Sequence, residues 1–200
     1  SEWGDEKNNP NDGALYPMPN WAFSSGKNVD KALVFAIIRQ ESRFDPNAKS
    51  YTGARGLMQI MPRTANFIAG KNKFRGKAQN LLLDPELNIS LGKTYLQQLL
   101  NHKDIGGDLF LLTVAYNSGP GNLAKWQRKM EYHDDPLLFI ESIPNSETRA
   151  FIERVMANLW IYRKRLDQPT PSLDAIATGD WPLYTPLDGT RIRVAKHGRD

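Results

Sequence analysis

The chain has 200 residues, 40% hydrophobic and 24% charged, close to average soluble globular usage and long enough for one domain that buries roughly 70% of its unfolded surface. That balance excludes wholesale disorder and fibrous repeats, and the longest apolar run, residues 32–38, falls far short of the roughly 18 residues of a membrane span. A net charge of +4 favours an anionic partner, while the absence of cysteine excludes disulfides, thiolate metal ligands and a cysteine nucleophile.

Residues 1–27 are polar, rich in Asn, Pro and Gly and punctuated by Tyr16, Trp21 and Phe23, which predicts an extended lead-in. They lack the basic and apolar regions of a signal peptide, which leaves an intracellular, a processed and an excised chain all open. Asn28 is placed to cap a first helix of about fifteen residues, stopped by Asp45-Pro46 because the residue before proline is pushed out of the helical region. Val34, Ile37, Ile38 and Glu41 share one stripe of that helix. Gly53 and Gly56 then sit among apolar residues without helical period, predicting turns and short extended pieces, followed by a helix from Pro62 to Ala69 that Gly70 ends.

Lys71, Lys73, Arg75 and Lys77 crowd into a loop. Asp84-Pro85 is an N-cap with proline at the first helical position and opens a helix to about Asn101. Another apolar helix spans residues 108–117, closed by Ser118-Gly119-Pro120-Gly121, with a further one over residues 122–130 and a shorter one opened by Asp135-Pro136. Residues 146–166 form the longest periodic stretch, with Phe151, Val155, Leu159 and Tyr162 on one stripe and Arg163, Lys164 and Arg165 suiting the C-terminal dipole. After Asp167, prolines at 169, 171, 182 and 186 predict an irregular tail laid over the body. The expected organisation is lead-in 1–27, domain 28–166 and tail 167–200, in an α+β class that is mainly α-helical.

Glu41 is the most unusual residue, a carboxylate one and two turns beyond apolar neighbours on their own face. Desolvation disfavours its charged form, and lifting it from about 4.3 to about 6–7 costs roughly 2.5–4 kcal/mol and yields a proton donor near neutral pH. From periodicity alone, exposure at the helix end or pairing with an arginine such as Arg55 is the simpler reading.

The text around Glu41 adds to this. ESRFDPNAKS runs from Glu41 to Ser50, GARGLMQIMP from Gly53 to Pro62, AYNSGPG from Ala115 to Gly121 and IPNSETRAFIERV from Ile143 to Val155. In this order the four motifs resemble the lytic transglycosylases of the soluble, lysozyme-like type, over roughly residues 29–166. The resemblance implies a goose-lysozyme-like fold with a very small sheet. It also implies cleavage of the β-1,4 bond between N-acetylmuramic acid and N-acetylglucosamine in peptidoglycan, without water, leaving a 1,6-anhydromuramic end.

By the same resemblance Glu41 is the general acid and then the base, and the substrate's acetamido oxygen stabilises the oxocarbenium charge, so no enzymic nucleophile is needed. Ser50 is expected to bind the acetamido group; Gln59 and Met61 to line the cleft; Tyr116 to reach the carboxyl or a sugar; Asn117 and Glu147 to line the glycan site. Each has a plainer alternative: a turn serine, a core Met or Tyr, a helix-ending Asn, and a Glu favoured by the helix dipole. Ser118 departs from the family's more frequent Ala, and Phe151 from its Tyr.

No metal or cofactor is expected: His102, His133 and His197 lack zinc-type spacing, and no Gly-x-Ser-x-Gly elbow or phosphate loop appears. The expected partners are peptidoglycan glycan strands and, because the family often carries this domain at the end of a longer chain, an N-terminal domain. Neither nucleic acid nor a membrane span is expected, and the substrate places the protein in the periplasm or cell envelope. Two rivals stand: a hydrolytic muramidase with Glu147 or Asp45 holding water roughly 6.5–9.5 Å from the acid, and a non-catalytic peptidoglycan- or nucleic-acid-binding module built on the 71–77 cluster with Phe74. Such basic loops are usually solvated faces, and this one suits the carboxylates of stem peptides.

Overall fold

The computed structural model describes residues 14–21 and 29–188; Phe23, Asn28 and His197, with most of the lead-in and the end of the tail, lie outside the described residues. The described chain is mainly α-helical: α1 Lys31–Ser42, α2 Pro62–Ala69, α3 Pro85–Leu100, α4 Leu109–Ser118, α5 Pro120–Gln127, α6 Pro136–Ser142, α7 Ser146–Arg165 and α8 Pro171–Ala177, with a 3-10 helix at Gly76–Leu83. Among the described residues the small sheet is reduced to antiparallel bridges, Lys49–Arg55 and Arg55–Ile60 in the loop after α1 and Asp108–Leu183 at the tail. None of these helices is long and apolar enough to cross a membrane.

Local chemistry sets the helix starts. Asp30, Asp84, Asp108, Asp135 and Asn145 each accept a hydrogen bond from a backbone N–H two or three residues on, each worth typically ~1 kcal/mol. Proline stands in the first turn of α2, α3, α5, α6 and α8. The cap of α1 is therefore Asp30, two residues beyond the expected Asn28. The helix ends at Arg43, before the Asp45-Pro46 stop, because Arg43 (φ 51°) and Phe44 (φ 69°) turn left-handed. Helix α5 begins at Pro120, not Asn122, since Gly119 (φ 86°) alone makes the turn out of α4. The basic loop is shorter than expected, because the 3-10 helix begins at Gly76. The tail is not wholly irregular, as α8 shows.

Helix α1 is the core. Residues 32–38 are buried without interruption, so the helix is covered on all sides and not only along the expected stripe. It packs along α7, whose Phe151, Val155, Leu159 and Tyr162 are all buried. Helix α4 packs on α5 and α7, and α3 on α4. Gly92 on α3 permits a close approach: a Cβ there would lie 2.1 Å from the Met58 sulfur.

The tail is fastened to the body. Leu109 N–H donates to the Pro182 carbonyl (3.0 Å) and Tyr184 N–H to that of Gly107 (2.8 Å). Asp30 N–H donates to the Tyr184 hydroxyl (2.7 Å), and the Asp30 carboxylate accepts from Leu187 N–H (3.0 Å) and pairs with Arg163 (3.2 Å), which also donates to the Thr185 carbonyl. Asp30 and Arg163 are both almost wholly buried.

Candidate active site

Glu41 is the penultimate residue of α1, where the core's apolar run gives out, and it stands half-buried on the wall of a cleft of about 520 Å³. Ser50, Gln59, Met61, Tyr116, Asn117 and Glu147 line the same cleft, so Glu41 and the six substrate-binding residues expected from the sequence face one cavity. The chain reverses directly after Glu41 through the left-handed Arg43 and Phe44, a conformation that costs a non-glycine residue roughly 1–2 kcal/mol. Phe44 is held in it by packing against Trp21, Phe35 and Tyr162, with ring centroids 5.9, 6.1 and 6.4 Å away.

Glu41 has no cationic partner among the described residues. Arg55 instead donates to Gln79 Oε1 at 3.0 Å. Burial raises the Glu41 carboxyl and the negative charge of Glu147 raises it further, to about 8. A carboxyl in that state carries its proton through neutral pH, which is what general-acid chemistry demands.

The loop opposite Glu41 is fixed by one side chain from α3. Asn88, wholly buried, accepts from Met58 N–H (2.8 Å) and donates to the Arg55 (2.9 Å) and Leu82 (2.8 Å) carbonyls. Gly56 (φ 73°) lets this happen, since a Cβ there would lie 2.3 Å from Leu82 O and 2.5 Å from Asn88 Nδ2.

Several expected contacts take a different form. Gln59 spends both N–H bonds on the Ala48 (3.1 Å) and Gly56 (2.8 Å) carbonyls, which leaves its Oε1 as the group for a ligand. Tyr116 does not donate to the carboxyl; its hydroxyl donates to the Met58 carbonyl at 2.8 Å. Burial, followed by the charges of Glu41 and Tyr95, raises that phenol well above its ordinary value, so it stays protonated. The Ser50 hydroxyl accepts from Ala54 N–H (2.9 Å) and lies 2.9 Å from the Thr52 hydroxyl, a turn-closing arrangement on the rim. Met61, 38% exposed, is no core residue but the lip of the cleft at the start of α2.

Asn117 joins the two helices that flank the cleft. Its Oδ1 accepts from the Thr148 hydroxyl at 2.8 Å, and Ser118 Oγ lies 2.6 Å from that same hydroxyl. Ser118, the departure from the family's Ala, therefore helps seat the first turn of α7, which carries Glu147. Phe151 is buried in the core. Asp45, the other candidate second carboxylate, accepts from Asn47 N–H and does not line the cleft, whereas Glu147 does. Sequence reasoning missed Thr52, Thr64, Tyr95 and Asn145 on the cleft wall. Asn145 carried a signal as an N-cap before Ser-Glu-Thr, whereas Tyr95 is placed only by tertiary packing, its ring 5.6 Å from that of Tyr116.

Comparison with known proteins gives one consistent picture. The sequence pattern of the family described as "Transglycosylase SLT domain" matches residues 20–138. The soluble lytic murein transglycosylase of Escherichia coli is 40% identical over 150 residues, covering 74% of this chain and 23% of that protein. A putative counterpart from Haemophilus influenzae is 34% identical over 146 residues, covering 73% and 24%. The crystal structure of the 70 kDa soluble lytic transglycosylase of Escherichia coli superposes with a TM-score of 0.64 at 38% identity, over 73% of this chain and 24% of that one. An inactive Glu-to-Gln variant of the Pseudomonas aeruginosa lytic transglycosylase superposes with a TM-score of 0.61 at 36% identity, over 70% and 22%. The chain thus spans about a quarter of the length of these relatives.

Proposed function

The chain belongs to the Transglycosylase SLT domain family, and from that premise we propose that it is the catalytic part of a lytic transglycosylase that cuts peptidoglycan glycan strands with Glu41 as its single acid and base. The observation that carries the reading is the half-buried, cation-free Glu41 carboxyl, raised to about 8 on the wall of a cleft that gathers all seven expected residues.

In this reading the Glu41 proton passes to the glycosidic oxygen as its bond to the muramic C1 breaks and the N-acetylglucosamine 4-hydroxyl departs. The substrate's acetamido oxygen carries the charge developing at C1. The Glu41 carboxylate then removes the proton from the muramic 6-hydroxyl as O6 bonds to C1, which restores the acid and leaves the 1,6-anhydro end. Gln59 Oε1 is the acceptor for a sugar hydroxyl or amide, Met61 offers a soft surface to a ring face, and Ser50 meets the acetamido group at the rim. Tyr116 and Asn117 keep the loop and the α7 start in place beside the carboxyl. The inactivity of a relative's Glu-to-Gln variant supports an essential glutamate.

We assign this chemistry to residues 28–166, with the tail as a fastening, in a protein that works in the periplasm or cell envelope where its substrate lies, alongside an N-terminal domain. Digestion of purified sacculi by the wild type and Glu41→Gln, with products weighed by mass spectrometry, tests the reading. Anhydro ends, one water lighter than reducing ends, should come from the wild type alone. A hydrolytic alternative rests on Glu147, the other carboxylate on the cleft wall, and reducing ends in the digest would identify it.

A further inference from the structure

Three guanidinium groups gather behind the helix that carries Glu41. Arg39, in the last turn of α1, and Arg43, its C-cap, line a cavity of about 590 Å³ together with Arg154 of α7. Arg39 precedes Glu41 by two residues, roughly 200° around the helix, so the two side chains leave α1 on opposite faces. This cavity and the catalytic cleft share no lining residue. None of the three arginines is paired with a carboxylate among the described residues, and no described residue lining the cavity is acidic. Cations at the end of α1 suit its dipole, but Arg154 lies in the middle of α7, away from either helix end. Three like charges around one cavity repel one another, a cost that an anion seated between them removes.

The walls of this cavity are anchored. The Arg39 guanidinium lies 4.0 Å from the centre of the Tyr16 ring. Tyr16 meets Tyr162 edge-on with ring centroids 5.6 Å apart, and the Tyr162 hydroxyl donates to the Pro17 carbonyl at 3.2 Å, which fixes this stretch of the lead-in to α7. Arg43 and Arg154 are exposed and Arg39 is half-buried, so all three heads are within reach of a ligand from solvent. Asn158, buried and lining the same cavity, gives one side-chain N–H to the Ala36 carbonyl at 3.4 Å and has a second to offer. Exposed Leu15 adds an apolar rim.

A carboxylate brings one charge and two oxygens, whereas a phosphate monoester brings a charge of about −1.5 to −2 and three oxygens. All three cations are arginines, whose planar forks pair phosphate oxygens two at a time. We propose that Arg39, Arg43 and Arg154 form a phosphate site, separate from the catalytic cleft, for a ligand that ends in a phosphate monoester. The guanidinium forks take its oxygens and the free N–H of Asn158 completes the set. The same chemistry is carried by a soluble phosphate ester and by the headgroup of phosphatidate in a membrane, and Leu15 at the rim suits the alkyl part of the lipid. A phosphate bound there ties the end of α1 to α7 beside the left-handed turn that follows Glu41. The site stands independently of the reading of Glu41 as acid and base.

The test is titration of the chain with glycerol 3-phosphate, read from amide NMR shifts, beside pelleting with phosphatidylcholine vesicles made with and without phosphatidate. Saturable shifts should centre on Tyr16, Arg43 and Arg154, and acetate at equal ionic strength should not displace the ester. The variant R43Q/R154Q should bind at least about tenfold more weakly, and R43K/R154K, which keeps the charge but loses the forks, about threefold more weakly. Arg43 stands in a left-handed turn, so Arg154→Gln alone is the second variant: glutamine is a good helix former at an exposed mid-helix position, and a loss of at least about threefold is expected without a change in melting temperature. Pelleting that requires both phosphatidate and the arginines identifies the lipid as the source; ester binding without pelleting identifies a soluble ligand. Equal binding by wild type and R43Q/R154Q, full binding by R43K/R154K, displacement by acetate, or shifts confined to the Glu41 cleft would each overturn the inference. So would failure of the wild type to bind either probe.

Discussion

The Tyr116 hydroxyl donates to the carbonyl of Met58 at 2.8 Å, while the N–H of that same Met58 is taken by Asn88 at 2.8 Å. One residue of an irregular loop is thus gripped from both sides, by α4 through its carbonyl and by α3 through its amide. The loop has only the isolated bridges Lys49–Arg55 and Arg55–Ile60 for strand pairing, and these side chains supplement them. Each such bond contributes on the order of 1 kcal/mol net, but leaving a buried partner unmade costs ~1–3 kcal/mol.

Asn88→Ala strands the Met58 N–H and takes one bond from each of the Arg55 and Leu82 carbonyls, the first of which still accepts from Ile60 N–H, around a vacated buried side chain. The expected result is a loss of roughly 3 kcal/mol or more in urea unfolding, with a fall in turnover because the wall facing Glu41 loosens. Tyr116→Phe removes one bond only and should cost about 1 kcal/mol. A fully stable Asn88→Ala chain would show that the loop is held by something else.

Activity should depend on a protonated Glu41. With that carboxyl raised to about 8, the rate should hold through neutral pH and fall as pH climbs past about 8. Glu41→Gln should lose at least about a thousandfold, and more than the roughly 10²–10⁴-fold worth of a single proton transfer if the group serves as both acid and base. Glu147→Gln removes the second cause of the raised value, so its alkaline limb should move to lower pH yet stay above the ordinary carboxylate range, since burial, the larger cause, persists. A pH profile of muropeptide release by the three proteins reads both effects.

Stability has its own pH signature. Burial raises Glu41 from 4.5 to about 8 and Asp108 from 3.8 to about 7. Below the unfolded values both states are protonated and this stabilisation is fully present; as pH rises, the unfolded chain ionises first, and the stabilisation is lost up to the folded values. Calorimetry should therefore find Glu41→Gln melting close to the wild type near pH 4 and several degrees above it at pH 9, given that about 1 kcal/mol shifts Tm by roughly 2–4 °C at this size. A gap that does not widen with pH would contradict the buried state of Glu41.

The Asp30–Arg163 pair is buried, and Arg163 Nε and Nη1 have no hydrogen-bond partner. Asp30→Ala leaves the guanidinium uncompensated and removes the α1 cap, and is expected to cost ~3–5 kcal/mol. The double variant Asp30→Ala/Arg163→Met should recover much of that loss, because an apolar replacement needs no counter-charge. Urea denaturation of the two proteins gives the comparison; a double variant weaker than the single one would mean that Arg163, through its bond to the Thr185 carbonyl and its packing, stabilises the fold even without its counter-charge.

Helix starts marked by local chemistry were legible in the sequence: Asp84-Pro85, Asp135-Pro136 and the Pro62–Ala69 helix closed by Gly70 stand where their residues put them. Asp30 was not legible as the first cap, because Asn28 is as good a local candidate and the choice is made by Arg163 and Leu187, distant in sequence. The 3-10 helix Gly76–Leu83 has no apolar period to announce it. At the cleft, motif and order found the right residues but not what their atoms bind. Gln59 and Tyr116 are the plain cases, since rotamer direction decides whether a polar group meets backbone or ligand. Tyr95 was invisible because only the packing of α3 on α4 brings it to the cleft.

Helix α1, at twelve residues, is about 18 Å long. The fastening of the tail lies at its first turn and Glu41 at its last, so the two ends of one rod answer to different parts of the chain. Tension applied at Asp188 falls first on its bond from the Lys31 N–H, beside the Asp30–Arg163 pair and a full helix length from the reacting carboxyl. Local opening of the tail is expected to expose the amide protons of Tyr184 and Leu187 to exchange before those of the buried residues 34–38.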